Sequence, residues 1–402
     1  MGSRRTSGSE SGVSAVARGV TAAPVAAGLD RVAAGAETQL AGRRVALVAH
    51  AASVTADGRH ALDVLRDSGT RVMLLLAPEH GLRGTAAAGE EVPDAIEAGV
   101  PVISLYGPRT RPGRAALADV DALVFDLQDA GVRFYTYLAT LAECLAAAAE
   151  AGVEVVVLDR PNPLGGEYVA GPAAAPGDAP SLLDRLPGTL IHGLTAAEMG
   201  ALLAARMPRP PPLRAVEMAG WRRAMRWPDT GRSWTPPSPN LRSAQAALAY
   251  PGVALLEATN VSEGRGSWAP FLRIGAPWLD PDAVRARVAA TGYDLYPVRF
   301  RPRAGPAAPS PKHEGELLPG VGVAVTDPAA ADPWALGLEL LACLRRFRGF
   351  RWRSPGALDR LVGSPRLREA LEAGRSPEQI RGAEAAEVDG FRRDRLRFLR
   401  YS

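Results

Sequence analysis

Short apolar runs alternate with helical patterns in the first half of the chain. Runs of four to six apolar residues predict buried strands at 45–48, 72–77, 102–105, 122–125 and 153–158. Residues recurring at helical spacing predict helices at 58–67, 137–151 and 194–206. This alternation is typical of an α/β protein with a mostly parallel sheet and helices on both faces.

The same pattern divides the chain into three parts. Residues 1–27 are polar and show no period, which predicts a disordered leader. The proline-rich sequence RPPP at 209–212 predicts a linker, so we expect one α/β domain over 28–210 and a second, smaller one over 211–402. In the second domain we expect helices at 282–290, 333–347 and 364–374, and strands at 253–257 and 321–325.

Polar side chains follow three of the predicted strands, at the point where each strand ends. They are Glu79 and His80 after the second strand; Asp126, Gln128 and Asp129 after the fourth; and Asp159, Arg160 and Asn162 after the fifth. The carboxyl ends of parallel strands meet at one edge of a sheet, where ligands bind. Any one of these residues alone would suggest a helix cap, but together they predict a functional site.

Three further segments carry candidate binding residues. The loop at 255–267 places Asn260, Glu263 and Arg265 near glycines, as in a functional loop or a solvated turn. The proline-rich loop at 229–240 carries Trp234 and Asn240, which suit either sugar stacking or core packing. Arg133 and Tyr135 follow the fourth strand; Arg133 would pair with a substrate carboxylate or with a nearby aspartate.

Composition excludes several classes of protein. The 402 residues are 47% hydrophobic and 22% charged, as in a globular protein, and no apolar run is long enough to predict a membrane span. The net charge of +4 comes almost wholly from arginines interleaved with acids, and Lys312 is the only lysine, so no nucleic-acid-binding face is predicted. Arg4 and Arg5 are followed by polar residues, which favours a cytoplasmic location over export, the alternative.

The missing motifs narrow the chemistry. The sequence has no Walker A motif, no GxGxxG after a strand, no HExxH and no GxSxG, and its two cysteines form neither a disulfide framework nor a metal knuckle. We therefore expect no metal and no cofactor. Carboxylates remain, and they are sufficient for hydrolysis of a glycoside by a pair of acidic side chains.

The motifs also form a recognisable set. They occur in the order PEHGLRG at 78–84, SLYG at 104–107, FDLQDAGVRFYTY at 125–137, LDRPNPLGG at 158–166, HGLT at 192–195, SPN at 238–240 and TNVSEGRG at 259–266. From residue 28 onward the chain resembles the bacterial DUF1343 family, whose characterised members are exo-β-N-acetylmuramidases of the NamZ type. Two positions depart from the family pattern: the turn HAAS at 50–53, and Ala170 where many members have glutamate.

The resemblance implies a Rossmann-like domain, a smaller α/β domain and an active cleft between them. It implies release of N-acetylmuramic acid from the non-reducing end of peptidoglycan fragments, without nucleotide or metal. The family's glutamates fall on Glu79 and Glu263. The apolar strand behind Glu79 favours Glu79 as general acid and Glu263 as the second carboxylate, although the two roles are exchangeable.

Arg133, Asn260 and Arg265 are candidates for holding the lactyl carboxylate and the acetamido group of the sugar. We expect muropeptides or other small glycosides as partners. Two alternatives remain at this point: an amino-sugar-binding protein without turnover, and a hydrolase of another glycoside.

Overall fold

The computed structural model describes residues 23–174, 182–354 and 356–402. Positions 1–22 of the predicted leader lie outside these ranges. Its last residues are packed, because Val25 and Ala27 are buried and the Val25 amide donates a 2.8 Å hydrogen bond to the Thr230 carbonyl. The packed chain therefore begins before residue 28.

The strands of the described residues fall into three sheets. They are β1 (Arg44–Ala49), β2 (Arg71–Ala77), β3 (Ala95–Glu97), β4 (Val100–Ser104), β5 (Ala122–Asp126), β6 (Glu154–Leu158), β7 (Ala170–Ala173), β8 (Thr189–Ile191), β9 (Leu213–Val216), β10 (Arg273–Gly275), β11 (Tyr293–Phe300) and β12 (Leu318–Val325).

The helices of the described residues pack against these sheets and against one another. They are α1 (Gly28–Ala33), α2 (Ala61–Asp67), α3 (Tyr137–Ala151), α4 (Ala196–Ala204), α5 (Ala244–Val253), α6 (Pro281–Arg285), α7 (Pro333–Leu344), α8 (Ala357–Val362), α9 (Arg366–Glu372) and α10 (Pro377–Arg395). Short 3-10 segments occur at Arg114–Leu117, Leu182–Asp184, Trp227–Thr230, Ala254–Ala258 and Leu396–Phe398.

The main sheet has the strand order β3-β4-β2-β1-β5-β6-β9. All neighbours pair in parallel except β3 and β4. Every residue of β5 is buried, as expected for a strand with both faces covered. The predicted mostly parallel sheet is therefore confirmed. The five predicted strands of the first half correspond to β1, β2, β4, β5 and β6.

The main sheet extends past residue 210, where the sequence predicted a domain boundary. Strand β9 pairs in parallel with β6, with Leu213 opposite Val155. One continuous apolar core also joins both parts of the chain, because Phe125 and Leu141 belong to the same buried cluster as Leu255 and Leu341. The second half is thus built directly onto the first.

The second half contains a small antiparallel sheet in the order β10-β12-β11. The predicted strand at 253–257 is wrong, because helix α5 runs to Val253 and a 3-10 segment follows over Ala254–Ala258. The Ser243 hydroxyl accepts the amide of Ala246 and caps α5. A short, fully buried apolar run has the same pattern in a strand and in a helix, so periodicity could not separate the two.

Candidate active site

A cavity of about 630 Å³ opens at the carboxyl end of the main sheet. Its polar and aromatic walls come from both halves of the chain, and they include Glu79, His80, Tyr106, Phe134, Tyr135, Thr136, Ser238, Tyr250, Glu257, Arg265 and Phe271. The segments that carry Glu79 and Arg265 therefore converge on one cavity, whose lining does not include Glu263. Its volume suits a small-molecule ligand such as a sugar.

Glu79 is placed on the cavity wall by the end of strand β2. Pro78 cannot donate to the sheet and ends the strand, so the next side chain turns out of it. The Glu79 Oε1 atom accepts the Gly89 amide at 2.9 Å, and Oε2 accepts the Thr136 hydroxyl at 2.7 Å. These two bonds fix the orientation of the carboxyl group in the cavity.

His80 follows in a left-handed backbone conformation, with φ of 72°. This conformation costs a residue other than glycine about 1–2 kcal/mol, and it turns the ring toward the cavity wall. The ring Nδ1 lies 2.9 Å from the Ala86 carbonyl and donates to it in the matching tautomer. Burial lowers the pKa of His80, although the Glu79 carboxylate opposes this, so the ring is neutral at pH 7.

Aromatic side chains form an apolar part of the wall. Tyr250 meets Phe271 edge to face, with ring centroids 4.7 Å apart, and it meets Phe134 at 5.4 Å. Tyr135 packs edge to face on Tyr137 at 4.8 Å. Burial raises the pKa of Tyr250 and of Tyr135 well above the usual phenol value, so both hydroxyls stay protonated. Such a wall offers apolar ring surface to a sugar.

Four charged side chains form a chain that leads from the cavity into the interior. Glu257 Oε1 accepts from Arg265 Nη2 at 2.8 Å, and Arg265 Nε lies 3.5 Å from Glu263 Oε1. Lys312 Nζ lies 2.9 Å from Glu263 Oε2 and also donates to the carbonyls of Leu256 and Val261. The Glu257 side chain is 32% exposed and lines the cavity, whereas the Glu263 side chain is 4% exposed and lies behind it.

The neighbouring charges set the ionisation of Glu263 and Arg265. Burial alone would raise the pKa of Glu263, but Lys312 and Arg265 hold it below its ordinary value, so Glu263 is a carboxylate at pH 7. Burial opposes the charge of Arg265, but Glu257 and Glu263 raise its pKa above the usual arginine value. Arg265 is therefore a charged part of the cavity wall.

Asp126 and Arg160, two predicted binding residues, form a buried ion pair with each other. Arg160 donates from Nε and Nη2 to the two Asp126 oxygens at 2.5 and 2.8 Å, and both side chains are buried. Gln128 donates from Nε2 to the Asp129 and Pro161 carbonyls, at 2.9 Å each. Arg160 and Gln128 line a separate cavity of about 250 Å³, so this group holds the strand ends together beside the main cavity.

Asp129 and Arg133 also lie in the interior. Asp129 Oδ2 accepts the Gly131 amide at 2.6 Å and lies 3.6 Å from the buried ring of His192. Arg133 is buried and donates to the Val362 carbonyl. Both side chains support the loop that carries the cavity residues Phe134 to Thr136.

Asp159 and Asn162 tie the end of β6 to later parts of the chain. Asp159 accepts the Ala197 amide at 3.0 Å and the Tyr401 hydroxyl at 2.6 Å. Burial raises the pKa of Asp159 to about 6. Asn162 donates from Nδ2 to the Leu194 carbonyl at 3.0 Å. The structure thus gives both side chains partners within the chain.

Trp234, Asn240 and Asn260 hold loops in place. Trp234 Nε1 donates to the Leu241 carbonyl at 2.9 Å, and Asn240 Nδ2 donates to the Ala307 carbonyl at 2.7 Å. Asn260 donates to the Gly349 carbonyl at 2.8 Å and accepts the Arg351 amide at 2.9 Å. Of the predicted site residues, the cavity lining includes Glu79, His80, Tyr135 and Arg265.

Sequence reasoning missed several residues of the wall. Glu257 is the last residue of the predicted strand at 253–257 and not a predicted site residue, yet it lines the cavity. Tyr106 lies in the SLYG motif after β4, and Tyr250 and Phe271 lie in apolar patterns that resemble core. The position of Tyr106 directly after a strand was the signal that could have identified it.

Two general features of the described part of the chain bear on the site. None of its helices combines the length and the apolar composition needed to cross a membrane. Its histidine, cysteine and acidic side chains do not form a group of three or more suited to hold a metal ion.

Two family models match the chain. They are described as the N-terminal and C-terminal parts of the exo-β-N-acetylmuramidase NamZ, and they match residues 45–245 and 248–401. The change from one model to the other comes after β9, which agrees with a main sheet that extends past residue 210.

Relatives and solved structures agree with these models. The peptidoglycan β-N-acetylmuramidase NamZ of Bacillus subtilis strain 168 is 36% identical over 383 residues, which is 94% of this chain and 91% of the relative. Two crystal structures of DUF1343 family proteins from Bacteroides fragilis are each 27% identical, covering 94% of this chain and 99% of theirs, with TM-scores of 0.83 and 0.76.

Proposed function

Since the chain belongs to the NamZ family of exo-β-N-acetylmuramidases, we propose that it releases N-acetylmuramic acid from the non-reducing end of peptidoglycan fragments. The observation that carries this proposal is the cavity, which is lined by Glu79 and, from the other half of the chain, by Glu257 and Arg265. Carboxyl groups from two separate segments around a sugar-sized space are what glycoside hydrolysis by two acids requires.

In the proposed reaction Glu79 acts as the general acid. It donates a proton to the glycosidic oxygen while the bond between that oxygen and the anomeric carbon breaks. The aglycone leaves as an alcohol. Water supplies the hydroxyl of the released sugar and gives its other proton to a carboxylate of the site, and exchange with solvent returns Glu79 to its acid form. The Gly89 amide and the Thr136 hydroxyl hold the Glu79 carboxyl in place throughout.

Glu263 and Glu257 are two candidates for the second carboxylate. The family motif favours Glu263, whereas exposure favours Glu257, which lines the cavity while Glu263 is paired with Lys312 behind it. We propose Glu257 for direct contact with the sugar or the attacking water. Glu263 then holds Arg265, which we propose as a contact of the lactyl carboxylate or the acetamido group.

The first test is turnover of a chromogenic N-acetylmuramide. We expect activity in the wild type and a loss of kcat by at least about 100-fold in Glu79→Gln, because a general acid typically contributes that much. Glu97→Gln is the control, since Glu97 pairs with Arg83 on the surface. Binding of N-acetylmuramic acid by the wild type without any turnover would contradict the enzymatic proposal.

A second test separates Glu257 from Glu263. In Glu257→Ala and Glu263→Ala, added azide serves as a small anion that replaces a missing second carboxylate. We expect azide to restore turnover in Glu257→Ala and not in Glu263→Ala. Rescue of Glu263→Ala alone would return the direct role to Glu263.

The compartment is a separate part of the proposal. We propose the cytoplasm, because the residues after Arg4 and Arg5 are polar where the core of an export signal is apolar. Fractionation of cells that produce the tagged full chain tests this. Recovery of the activity outside the cytoplasmic fraction would contradict it.

A further inference from the structure

Two aromatic side chains stand out on the surface of the second half. Trp268 is 71% exposed and Tyr296 is 43% exposed. Large aromatic rings usually bury most of their surface, so two exposed rings on one small sheet and its adjoining loop call for an explanation.

Both rings are held in place by their neighbours. The Arg273 guanidinium lies 4.1 Å from the centroid of the Trp268 ring. Tyr296 lies against Gly322, where an added Cβ would come within 2.3 Å of the Tyr296 ring. Only a glycine leaves room for the ring to lie on the strand. The two rings are therefore ordered before any ligand arrives, which lowers the entropy lost on binding.

The register of the small sheet places these groups in one row. Arg273 on β10 is opposite Gly322 on β12, and Gly322 is opposite Tyr296 on β11. Two strand spacings put about 10 Å between the Arg273 and Tyr296 backbones. We name Trp268, Arg273 and Tyr296 the aromatic row. Its length accommodates two linked sugar rings, each of which offers an apolar face to an aromatic side chain.

Arg273 gives the aromatic row a positive charge. Its side chain is half-buried and forms no ion pair with a carboxylate of the described residues. The accessible part of this guanidinium favours a ligand with carboxylates, because these groups accept from a guanidinium.

The aromatic row and the cavity share the loop at 263–271. The loop after Glu263 is closed by a 2.8 Å bond from the Phe271 amide to the Glu263 carbonyl. Arg265 and Phe271 of this loop line the cavity, and Trp268 lies between them in sequence. A glycan that reaches the cavity by its end therefore passes close to this loop.

We propose that the aromatic row is a second glycan-binding site, outside the cavity, for the acidic glycan chains of peptidoglycan. The choice of glycan rests on the proposed function. The rings stack on sugar faces, and Arg273 pairs with the carboxylates of lactyl groups or of attached peptides. The site holds the chain of a multi-sugar peptidoglycan fragment while the cavity acts on its end.

The test compares retention on polymer with turnover of a small substrate. The double variant Trp268→Ala/Tyr296→Ala and the control Ile96→Ala, which removes another exposed apolar side chain, are sedimented with insoluble purified peptidoglycan. We expect the double variant to bind about tenfold more weakly, the loss typical of two removed aromatic contacts, and the control to bind like wild type. Trp268→Phe, which keeps a ring, should retain most of the binding.

The same proteins are assayed on the chromogenic muramide, where we expect wild-type turnover from the double variant because the small substrate does not reach the row. Wild-type retention of the double variant on peptidoglycan would overturn the proposal, even if all variants hydrolyse the muramide. Equal losses of turnover and retention would also overturn it, since they would indicate damage to the cavity. A protein that is retained through Trp268 and Tyr296 but never hydrolyses the muramide would instead contradict the proposed function alone.

Discussion

Replacement of Lys312 by methionine tests the charged chain behind the cavity. The change keeps the length of the side chain but removes the cation 2.9 Å from Glu263 Oε2. It also removes the donor to the Leu256 and Val261 carbonyls. Of the four charged side chains, only Arg265 then remains as a partner of Glu263, with its Nε atom 3.5 Å from Glu263 Oε1.

The expected loss of stability follows from burial. Removing one partner of a buried ion pair leaves an uncompensated charge and costs about 3–5 kcal/mol. Replacing both partners avoids this penalty, so Lys312→Met with Glu263→Met should be much less destabilised than the sum of the two single variants. Urea unfolding followed by fluorescence measures all four proteins of this cycle.

The pH dependence gives an independent check. In the wild type the pKa of Glu263 is held below its ordinary value of 4.5. The ion pairs of the Glu263 carboxylate therefore stabilise the folded state fully above pH 4.5, and this contribution is lost as pH falls through the folded pKa. Without Lys312, burial raises the pKa of Glu263, and protonation at low pH then relieves the penalty. We therefore expect Lys312→Met to be less destabilised at about pH 4 than at pH 7. A loss below about 1 kcal/mol at pH 7, or additive single effects, would refute the reasoning.

Three other variants probe the fold. Tyr401→Phe removes the 2.6 Å bond to the buried Asp159 carboxyl and should lower the free energy of unfolding by about 2 kcal/mol in urea melts; an unchanged midpoint would contradict this. Gly252→Ala places a Cβ 2.1 Å from a carbonyl oxygen of the facing helix α7, so we expect a clear drop in Tm, whereas a stable variant would show that the helices separate easily. Burial raises the pKa of Glu384, which accepts from Trp334 Nε1, to about 7, so wild-type stability should fall as pH rises from 5 to 8. Glu384→Gln should reduce that slope and leave the part due to Asp159, whose pKa is also raised; an unchanged slope would assign all of it to other groups.

The fold of the first half was readable because its strands are buried on both faces. Strand β5, for example, is a continuous apolar run that ends at Asp126. Strand β11 was not predicted, because Tyr296 and Pro297 are exposed and weaken its apolar pattern. Helix α10 was not predicted either, since it is largely polar and packs through few residues such as Ile380 and Phe391.

The site was predicted in part, for a physical reason. The sequence identifies which acids follow strands, but it does not tell which of them find a partner inside the protein. Asp126 pairs with Arg160, 34 positions later, and so lies outside the cavity wall. Glu257 lies on a 3-10 turn where a strand was expected, and this turn is what directs it toward the cavity.

The shared apolar core limits how the molecule can move. Hinge closure of one half upon the other would separate Phe125 and Leu141 from Leu255 and Leu341, and would expose them to water. Large rigid-body rocking between turnovers is therefore disfavoured. We therefore expect ligand entry and product release to depend on small displacements of the rim loops.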